Sequence, residues 1–193
     1  MYLRSLSITF ILLLQLLTTG AQNAGDSMLP STPPAVEKAQ SPLLIYQFDI
    51  KDEIAPPVWR FTRKALDEAL QLKADIVLIH MNTYGGMLES ADSIRTAILQ
   101  FPKPVWVFID NNAASAGALI SIACDSIYMR RGANIGAATV VDQAGQVVPD
   151  KYQSYMRSMM RSTAEATGRD VDIAQAMVDP KIVVPGISDS VQV

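Results

Sequence analysis

Apolar residues follow two spacings along most of the chain, and these spacings predict strands that alternate with helices. Apolar segments rich in strand-forming residues span 43–50, 75–81, 104–110 and 126–129. Amphipathic or small-residue segments that predict helices span 58–70, 88–99, 114–123 and a long stretch that begins near 150. Because strands and helices alternate, the sequence predicts an α/β fold with a largely parallel sheet.

The N-terminal residues do not follow this alternation. An apolar run over 6–17 comes after Arg4 and ends in small residues around Ala21, which is the pattern of a secretory signal. Residues 22–42 are rich in Pro, Ser, Ala and Gly and predict a flexible linker. We therefore predict a signal peptide or uncleaved anchor at 1–21, the linker at 22–42 and one domain at 43–193. The domain is expected to be exported to the periplasmic or extracytoplasmic face of the cytoplasmic membrane, either released or anchored.

The composition agrees with one domain and excludes several classes of function. The chain has 193 residues, 49% of them hydrophobic, which is enough for a single core. The net charge is −3 and Lys and Arg are not clustered, so nucleic acid is not an expected partner. Cys124 is the only cysteine, which excludes an internal disulfide, and no set of metal ligands has a useful spacing. We therefore expect no metal and no cofactor.

Two glycines, Gly85 and Gly86, directly follow one predicted strand and precede a helix. Ligands bind at such strand ends in parallel sheets, and glycine lets the backbone approach a ligand closely. Backbone N–H groups near a helix N-terminus also favour negative charge, so this turn is a candidate oxyanion hole. A plain strand-to-helix turn is the alternative.

Ser115 follows another buried strand and opens the small-residue helix. Its alanine and glycine neighbours leave room for a substrate above the hydroxyl. Ser115 alone could equally be a helix cap. Since it shares its type of strand end with the Gly85–Gly86 turn, one segment could hold a nucleophile and the other the oxyanion donors.

The base for such a serine is less evident from the sequence. The lone histidine, His80, lies inside a strand and is expected to point into a packed layer rather than toward Ser115. Asp150 and Gln153 resemble a capping box, which would make Lys151 the first residue of the long helix. A helix N-terminus and apolar neighbours favour a neutral amine, which could accept the Ser115 proton. A solvated lysine is the alternative, and spacing alone does not favour Lys151 as the base.

Four segments, in this order and spacing, resemble a known family. They are NTYGG at 82–86, NAASAG at 112–117, IGAA at 135–138 and the helical segment at 151–169. From about residue 43 onward the chain resembles the ClpP-like serine peptidase domain of the NfeD family. These are membrane-bound proteases associated with stomatin-like proteins.

The resemblance implies the ClpP/crotonase fold, a spiral of ββα units, and a catalytic dyad formed by Ser115 and Lys151. It implies oxyanion donors at Gly86 and Ala116, with Gly85 beside them. Tyr84 stands where the family often has proline, and it and Asn112 are expected to border the substrate cleft.

The resemblance also implies a partner and a substrate. Family substrates are hydrophobic polypeptide segments, including those of stomatin-like membrane proteins, and self-association into a homo-oligomer is expected. Relatives continue into membrane helices and a small β-barrel domain, so we expect this chain to be truncated at its C-terminus. Two other functions stay open: a non-catalytic peptide-binding scaffold, and a crotonase-like acyl-CoA enzyme, against which the export signal argues.

Overall fold

The structure, a computed structural model, describes residues 42–142 and 144–186, which contain five strands and five helices. The strands are β1 (Ile45–Ile50), β2 (Ile76–Thr83), β3 (Val105–Ala114), β4 (Ser126–Met129) and β5 (Asn134–Gly136). The helices are α1 (Pro56–Gln71), α2 (Leu88–Leu99), α3 (Ala116–Ala123), α4 (Asp150–Thr167) and α5 (Val171–Ala176).

All strand pairs in the sheet are parallel, and the strand order is β1-β2-β3-β4. Strand β5 also pairs with β3, beyond the part of β3 that β4 covers. Each of the first three crossovers contains one helix, as parallel neighbours require. The predicted parallel α/β sheet is therefore confirmed.

Helix α3 lies at the centre of the hydrophobic core. All eight of its residues are buried, and it packs against α2, α4, β3 and β5. Fully buried side chains of the central strands, among them Val77, Val107 and Ile109, belong to the same core. Because many residues of α3 are small, the surrounding elements can approach it closely. This close packing holds the N-terminus of α3 at the end of β3.

Strand β3 is longer than the apolar pattern predicts. The predicted strand ends at Asp110, whereas β3 continues to Ala114 because Asn112, Ala113 and Ala114 pair with β5. Helix α3 consequently begins at Ala116 rather than at Ala114. The short elements β5 and α5 were not predicted, since three and six residues carry too little periodicity.

The predicted capping box at the start of α4 is wrong. Pro149 is the N-cap, no side chain caps the helix, and Asp150 rather than Lys151 is the first helical residue. The Gln153 side chain instead exchanges hydrogen bonds with the backbone of Val140.

The predicted signal or anchor at 1–21 and most of the predicted linker at 22–42 lie outside the described residues. Within the described part of the chain, no helix combines the length and the apolar character needed to cross a membrane.

Candidate active site

The carboxyl ends of β2 and β3 come together at an irregularity in their pairing. Met81 pairs with Ile109, but two residues later Thr83 pairs with Ala113, so β3 contains two extra residues. Such bulges re-aim the side chains that follow them and are common beside active sites. This one brings the turn after Thr83 next to Ser115.

Ser115 has a backbone conformation that a residue with a side chain rarely adopts. Its φ is +53° and its ψ is −114°, at the junction between β3 and α3. The Ser115 N–H donates to the carbonyl of Gly136 at 2.8 Å, and the Ser115 carbonyl accepts from Ala118 N at 2.9 Å. A strained serine on a sharp strand-to-helix turn is the geometry of an exposed nucleophile, and it persists only where surrounding contacts hold it.

Gly85 lies directly against Ser115. A Cβ atom at Gly85 would come within 2.7 Å of the Ser115 Cβ and 3.2 Å of its Oγ, and φ at Gly85 is +112°. Any side chain there would collide with the serine. The Gly85 N–H donates to the hydroxyl of Thr83 at 3.2 Å, so it does not face the cleft as an unpaired donor.

Two other backbone N–H groups beside Ser115 have no acceptor among the described residues. Gly86 forms a parallel bridge with Ile54, but the bridge uses Gly85 O and Met87 N, so the Gly86 N–H points to the opposite side. Ala116 is the first residue of α3, where the N–H has no partner within the helix. Two such donors beside a serine can stabilise a developing oxyanion.

A cleft of about 820 Å³ opens above Ser115. Its walls are mainly apolar and come mostly from the turn after β2, the junction of β3 with α3 and the segment after β5, with one residue each from the loop after β1 and from α4. The lining residues are Glu53, Tyr84, Gly86, Met87, Leu88, Ala114, Ser115, Ala116, Ala137, Ala138, Thr139, Val140, Val141, Asp142 and Met156. The predicted cleft residue Tyr84 is 82% exposed at its rim. The other, Asn112, is not among the lining residues, and its N–H donates to the Asn82 side chain at 3.1 Å.

Lys151 lies on the surface, away from this lining. It is the second residue of α4 and is exposed, with its Nζ 4.8 Å from the ring centroid of Tyr152. The structure therefore brings Ser115, Gly85, Gly86, Ala116 and Tyr84 together but leaves Lys151 apart from them.

Helix α4 is joined to the cleft wall by Gln153. Its Nε2 donates to the Val140 carbonyl at 2.7 Å, and its Oε1 accepts from Val140 N at 2.9 Å. Met156, one turn further, is buried and lines the cleft. The helix that carries Lys151 is thus connected to the site although the lysine itself faces solvent.

His80 is engaged elsewhere, on one face of the sheet. Its Nδ1 lies 3.1 Å from Asp49 and its Nε2 lies 3.7 Å from Asp110, rather than in a packed apolar layer. The pKa of Asp49 is lowered mainly because Lys51 donates a hydrogen bond to it at 2.9 Å, with a smaller contribution from His80. Both ring nitrogens of His80 therefore face carboxylates.

Two buried residues, Cys124 and Thr83, also bear on which side chains can act at the site. Cys124 is fully buried, and this burial raises the pKa of its thiol, which excludes it as a nucleophile. Thr83, which belongs to the NTYGG segment but was assigned no role from the sequence, is 1% exposed, and its hydroxyl bonds to both the turn and the loop after β1. Among the described residues, no group of three or more His, Cys, Asp or Glu is arranged to hold a metal.

Solved structures with this fold include a protease. The serine-to-alanine variant of the 1510-N membrane-bound stomatin-specific protease has a TM-score of 0.68 at 26% identity, and 72% of each chain is covered. A lysine-to-alanine variant in complex with a substrate peptide has a TM-score of 0.67 at 26% identity, covering 72% of this chain and 67% of that one. ClpP1 from Listeria monocytogenes has a TM-score of 0.58 at 22% identity, covering 69% and 79%. The chain therefore has the fold of the ClpP-like peptidases, as predicted.

The chain belongs to the family described as NfeD1b, N-terminal domain, whose model matches residues 44–192. It is 33% identical over 138 residues to the membrane protein NfeD1b of Bacillus subtilis, covering 72% of this chain and 32% of that protein. It is 28% identical over 143 residues to the membrane-bound protease PH1510 of Pyrococcus horikoshii, covering 70% and 32%. The chain thus spans about a third of the length of these curated relatives.

Proposed function

We propose that this chain is a serine peptidase domain in which Ser115 is the nucleophile. The observation that carries the proposal is the backbone of Ser115, held at φ +53° against Gly85. Strain of this kind costs about 1–3 kcal/mol and is found mainly where function requires it. A serine that only capped a helix would have an ordinary extended backbone.

The proposed reaction begins with attack of Ser115 Oγ on the carbonyl carbon of a peptide bond. The carbonyl oxygen becomes an oxyanion that accepts hydrogen bonds from Gly86 N–H and Ala116 N–H. Lys151 accepts the serine proton and returns it to the leaving amine. Water then attacks the acyl carbon, and the bond between this carbon and Ser115 Oγ breaks. One proton of the water passes through Lys151 to Ser115 Oγ, and the water oxygen with its other hydrogen stays in the carboxyl group of the product. In this scheme the Lys151 side chain must leave the Tyr152 ring and turn toward the cleft.

Two observations on relatives support the dyad and the substrate. The related 1510-N structures include variants in which a serine and a lysine are replaced by alanine, the two residue types of this dyad. One of them holds a substrate peptide, and that protease is described as stomatin-specific. The apolar walls of the cleft agree with a hydrophobic polypeptide segment, which could belong to a stomatin-like membrane protein. We further propose export to the extracytoplasmic side and assembly into a homo-oligomer.

A peptide-binding scaffold is the second candidate function. The placement of Lys151 favours it, because an exposed amine over Tyr152 cannot accept the Ser115 proton in that position. A protein of this kind would bind an apolar segment in the same cleft without cleaving it. The relatives reported above are membrane proteins and proteases, so they lend no support to acyl-CoA chemistry.

The test compares cleavage and binding of an apolar fluorogenic peptide by the full chain and by Ser115→Ala. The peptidase proposal requires cleavage by the unmodified protein and a loss of at least about 10³-fold in kcat for Ser115→Ala, with the peptide still bound. A matched control is Ser93→Ala, which removes another serine hydroxyl, on α2, and leaves cleavage unchanged.

Binding without cleavage by the unmodified protein would favour the scaffold. Cleavage at the unmodified rate by Ser115→Ala would remove Ser115 as the nucleophile.

A further inference from the structure

The side chain of Thr83 connects three parts of the candidate site. It is the last residue of β2, it is 1% exposed, and it stands one residue before the turn that holds Tyr84 and Gly85. The sequence gives this position no special feature, since threonine is common in strands. Its contacts, however, reach the turn after β2, the loop after β1 and the start of α3.

The hydroxyl of Thr83 forms hydrogen bonds with two different segments, the loop after β1 and the turn after β2. It donates to the carbonyl of Asp52 at 2.8 Å and accepts from the N–H of Gly85 at 3.2 Å. A hydroxyl has one proton to donate, so these two bonds match its capacity for one strong donation and one acceptance. The loop after β1 and the glycine turn are therefore held by the same oxygen atom.

The loop after β1, which contains Asp52, also contacts Gly86 through Ile54. The carbonyl of Asp52 lies two residues before Ile54, whose N–H donates to Gly85 O and whose carbonyl accepts from Met87 N. These bonds orient the Gly86 peptide so that its N–H faces away from Ile54. Fixing Asp52 thus helps to fix the direction of the Gly86 donor.

The methyl group of Thr83 contacts the other half of the site. A Cβ atom at Gly117 would come within 2.7 Å of Thr83 Cγ2, so the methyl packs directly against the first turn of α3. Ala113, the pairing partner of Thr83, lies two residues before Ser115. The Thr83 side chain therefore contacts the Gly85–Gly86 turn through its hydroxyl and helix α3 through its methyl.

We propose that Thr83 is a positioning residue, whose hydroxyl sets the orientation of the Gly85–Gly86 turn relative to Ser115. The proposal rests on the proposed peptidase function. Thr83 touches no substrate in this scheme and acts through Gly85 and Gly86. Its hydroxyl is expected to affect the turnover step, in which the oxyanion forms, more than peptide binding.

The test compares Thr83→Val, which keeps the shape and removes the hydroxyl, with Thr83→Ser, which keeps the hydroxyl. Thr62→Val is the matched control, because Thr62 is also fully buried and its hydroxyl has no partner among the described residues. Two quantities are measured on the full chain: kcat and KM for an apolar fluorogenic peptide, and the exchange rate of the Gly85 amide by NMR.

Thr83→Val is expected to lower kcat at least about tenfold, to change KM less than about threefold and to accelerate Gly85 exchange about tenfold. Thr83→Ser is expected to recover most of both losses, and Thr62→Val to change neither quantity. An unchanged kcat or an unchanged Gly85 exchange rate in Thr83→Val overturns the proposal, as does a loss in Thr83→Ser as large as that in Thr83→Val.

The two measurements separate this proposal from the peptidase function. If the unmodified protein cleaves no peptide, the peptidase function fails, and the Gly85 exchange rate alone decides whether Thr83 holds the turn. If Thr83→Val does not fold, Thr83→Ala replaces it in the comparison with Thr83→Ser.

Discussion

The two sides of the candidate site differ in how completely they are assembled. On the serine side, backbone hydrogen bonds hold Ser115 and the Gly85–Gly86 turn. The contacts of Gly85 and Gly86 leave no space for a side chain at either glycine. On the lysine side, Lys151 is exposed and its amine lies over Tyr152. The glycine turn is therefore fixed by specific backbone contacts, whereas Lys151, the proposed base, would have to rotate its side chain toward the cleft. The comparison predicts large effects at both sides but for different reasons.

The largest effect is expected from removing the amine on the exposed side. Lys151→Ala should lower kcat for apolar peptides about 10²–10⁴-fold, because general-base catalysis contributes about that much, while peptide binding changes little. Steady-state kinetics measures both quantities. The control is Lys64→Ala, which removes an exposed lysine from α1 and should have no effect. An unchanged kcat in Lys151→Ala would show that Lys151 is not the base and remains a surface lysine.

A second large effect is expected on the assembled side. Gly86→Ala should lower the free energy of unfolding by at least about 3 kcal/mol, because a Cβ atom there would overlap the Ile54 backbone. Urea unfolding at equilibrium measures this loss.

The control for Gly86→Ala is Gly132→Ala. Gly132 also has a positive φ, +84°, but its Cβ would meet nothing within 4 Å, so only backbone strain of about 1–2 kcal/mol is expected. Equal losses in the two variants would show that Gly86 is not closely seated against Ile54.

A moderate effect is expected where the lysine helix joins the cleft. Gln153→Leu should destabilise the protein by about 2 kcal/mol, because the Val140 N–H and carbonyl lose their side-chain partner. Thermal or urea unfolding checks the value. Gln71→Leu, at an exposed position at the end of α1, should change stability by less than about 0.5 kcal/mol. If both variants behave alike, α4 is not connected to the cleft wall through Gln153.

The smallest effect is expected on the pH dependence of stability, through Asp49 on β1. The pKa of Asp49 is lower in the folded protein than in the unfolded chain, so its contribution to stability is present above the unfolded pKa and is lost as the pH falls through the folded pKa. The side chain is 50% exposed, which keeps the effect small. Urea unfolding at pH 7 and pH 3 should give a stability difference between the unmodified protein and Asp49→Asn that shrinks at low pH. A difference that grows on acidification contradicts this sign.

Much of the fold could be predicted from apolar spacing. The four longer strands and four longer helices follow it closely, and α2 begins and ends at the predicted residues. The extension of β3 beyond Asp110 to Ala114 could not be predicted, because it depends on pairing with β5, more than twenty residues later. The wrong capping box at Asp150 has a similar cause: the Gln153 side chain bonds to the backbone of Val140, 13 residues earlier, rather than to its own helix.

The candidate site was predictable only in part. The positions of Ser115 and Gly86 at strand ends follow from the sequence, but the strain at Ser115 and the closeness of Gly85 are properties of the packed structure. The proposed role of Thr83 could not be read from the NTYGG segment, since it depends on the approach of Asp52 from the loop after β1. The exposed place of the Lys151 amine over the Tyr152 ring is a side-chain property that apolar periodicity does not describe.

The most direct test of the account is the distance between Ser115 Oγ and Lys151 Nζ when a peptide fills the cleft. A crystal structure of the full chain with an apolar peptide whose scissile bond is reduced gives this distance. We expect the Lys151 amine to leave the Tyr152 ring and to lie about 3 Å from Ser115 Oγ. A peptide seated in the cleft above Ser115 while Lys151 stays over Tyr152 would contradict the proposed dyad.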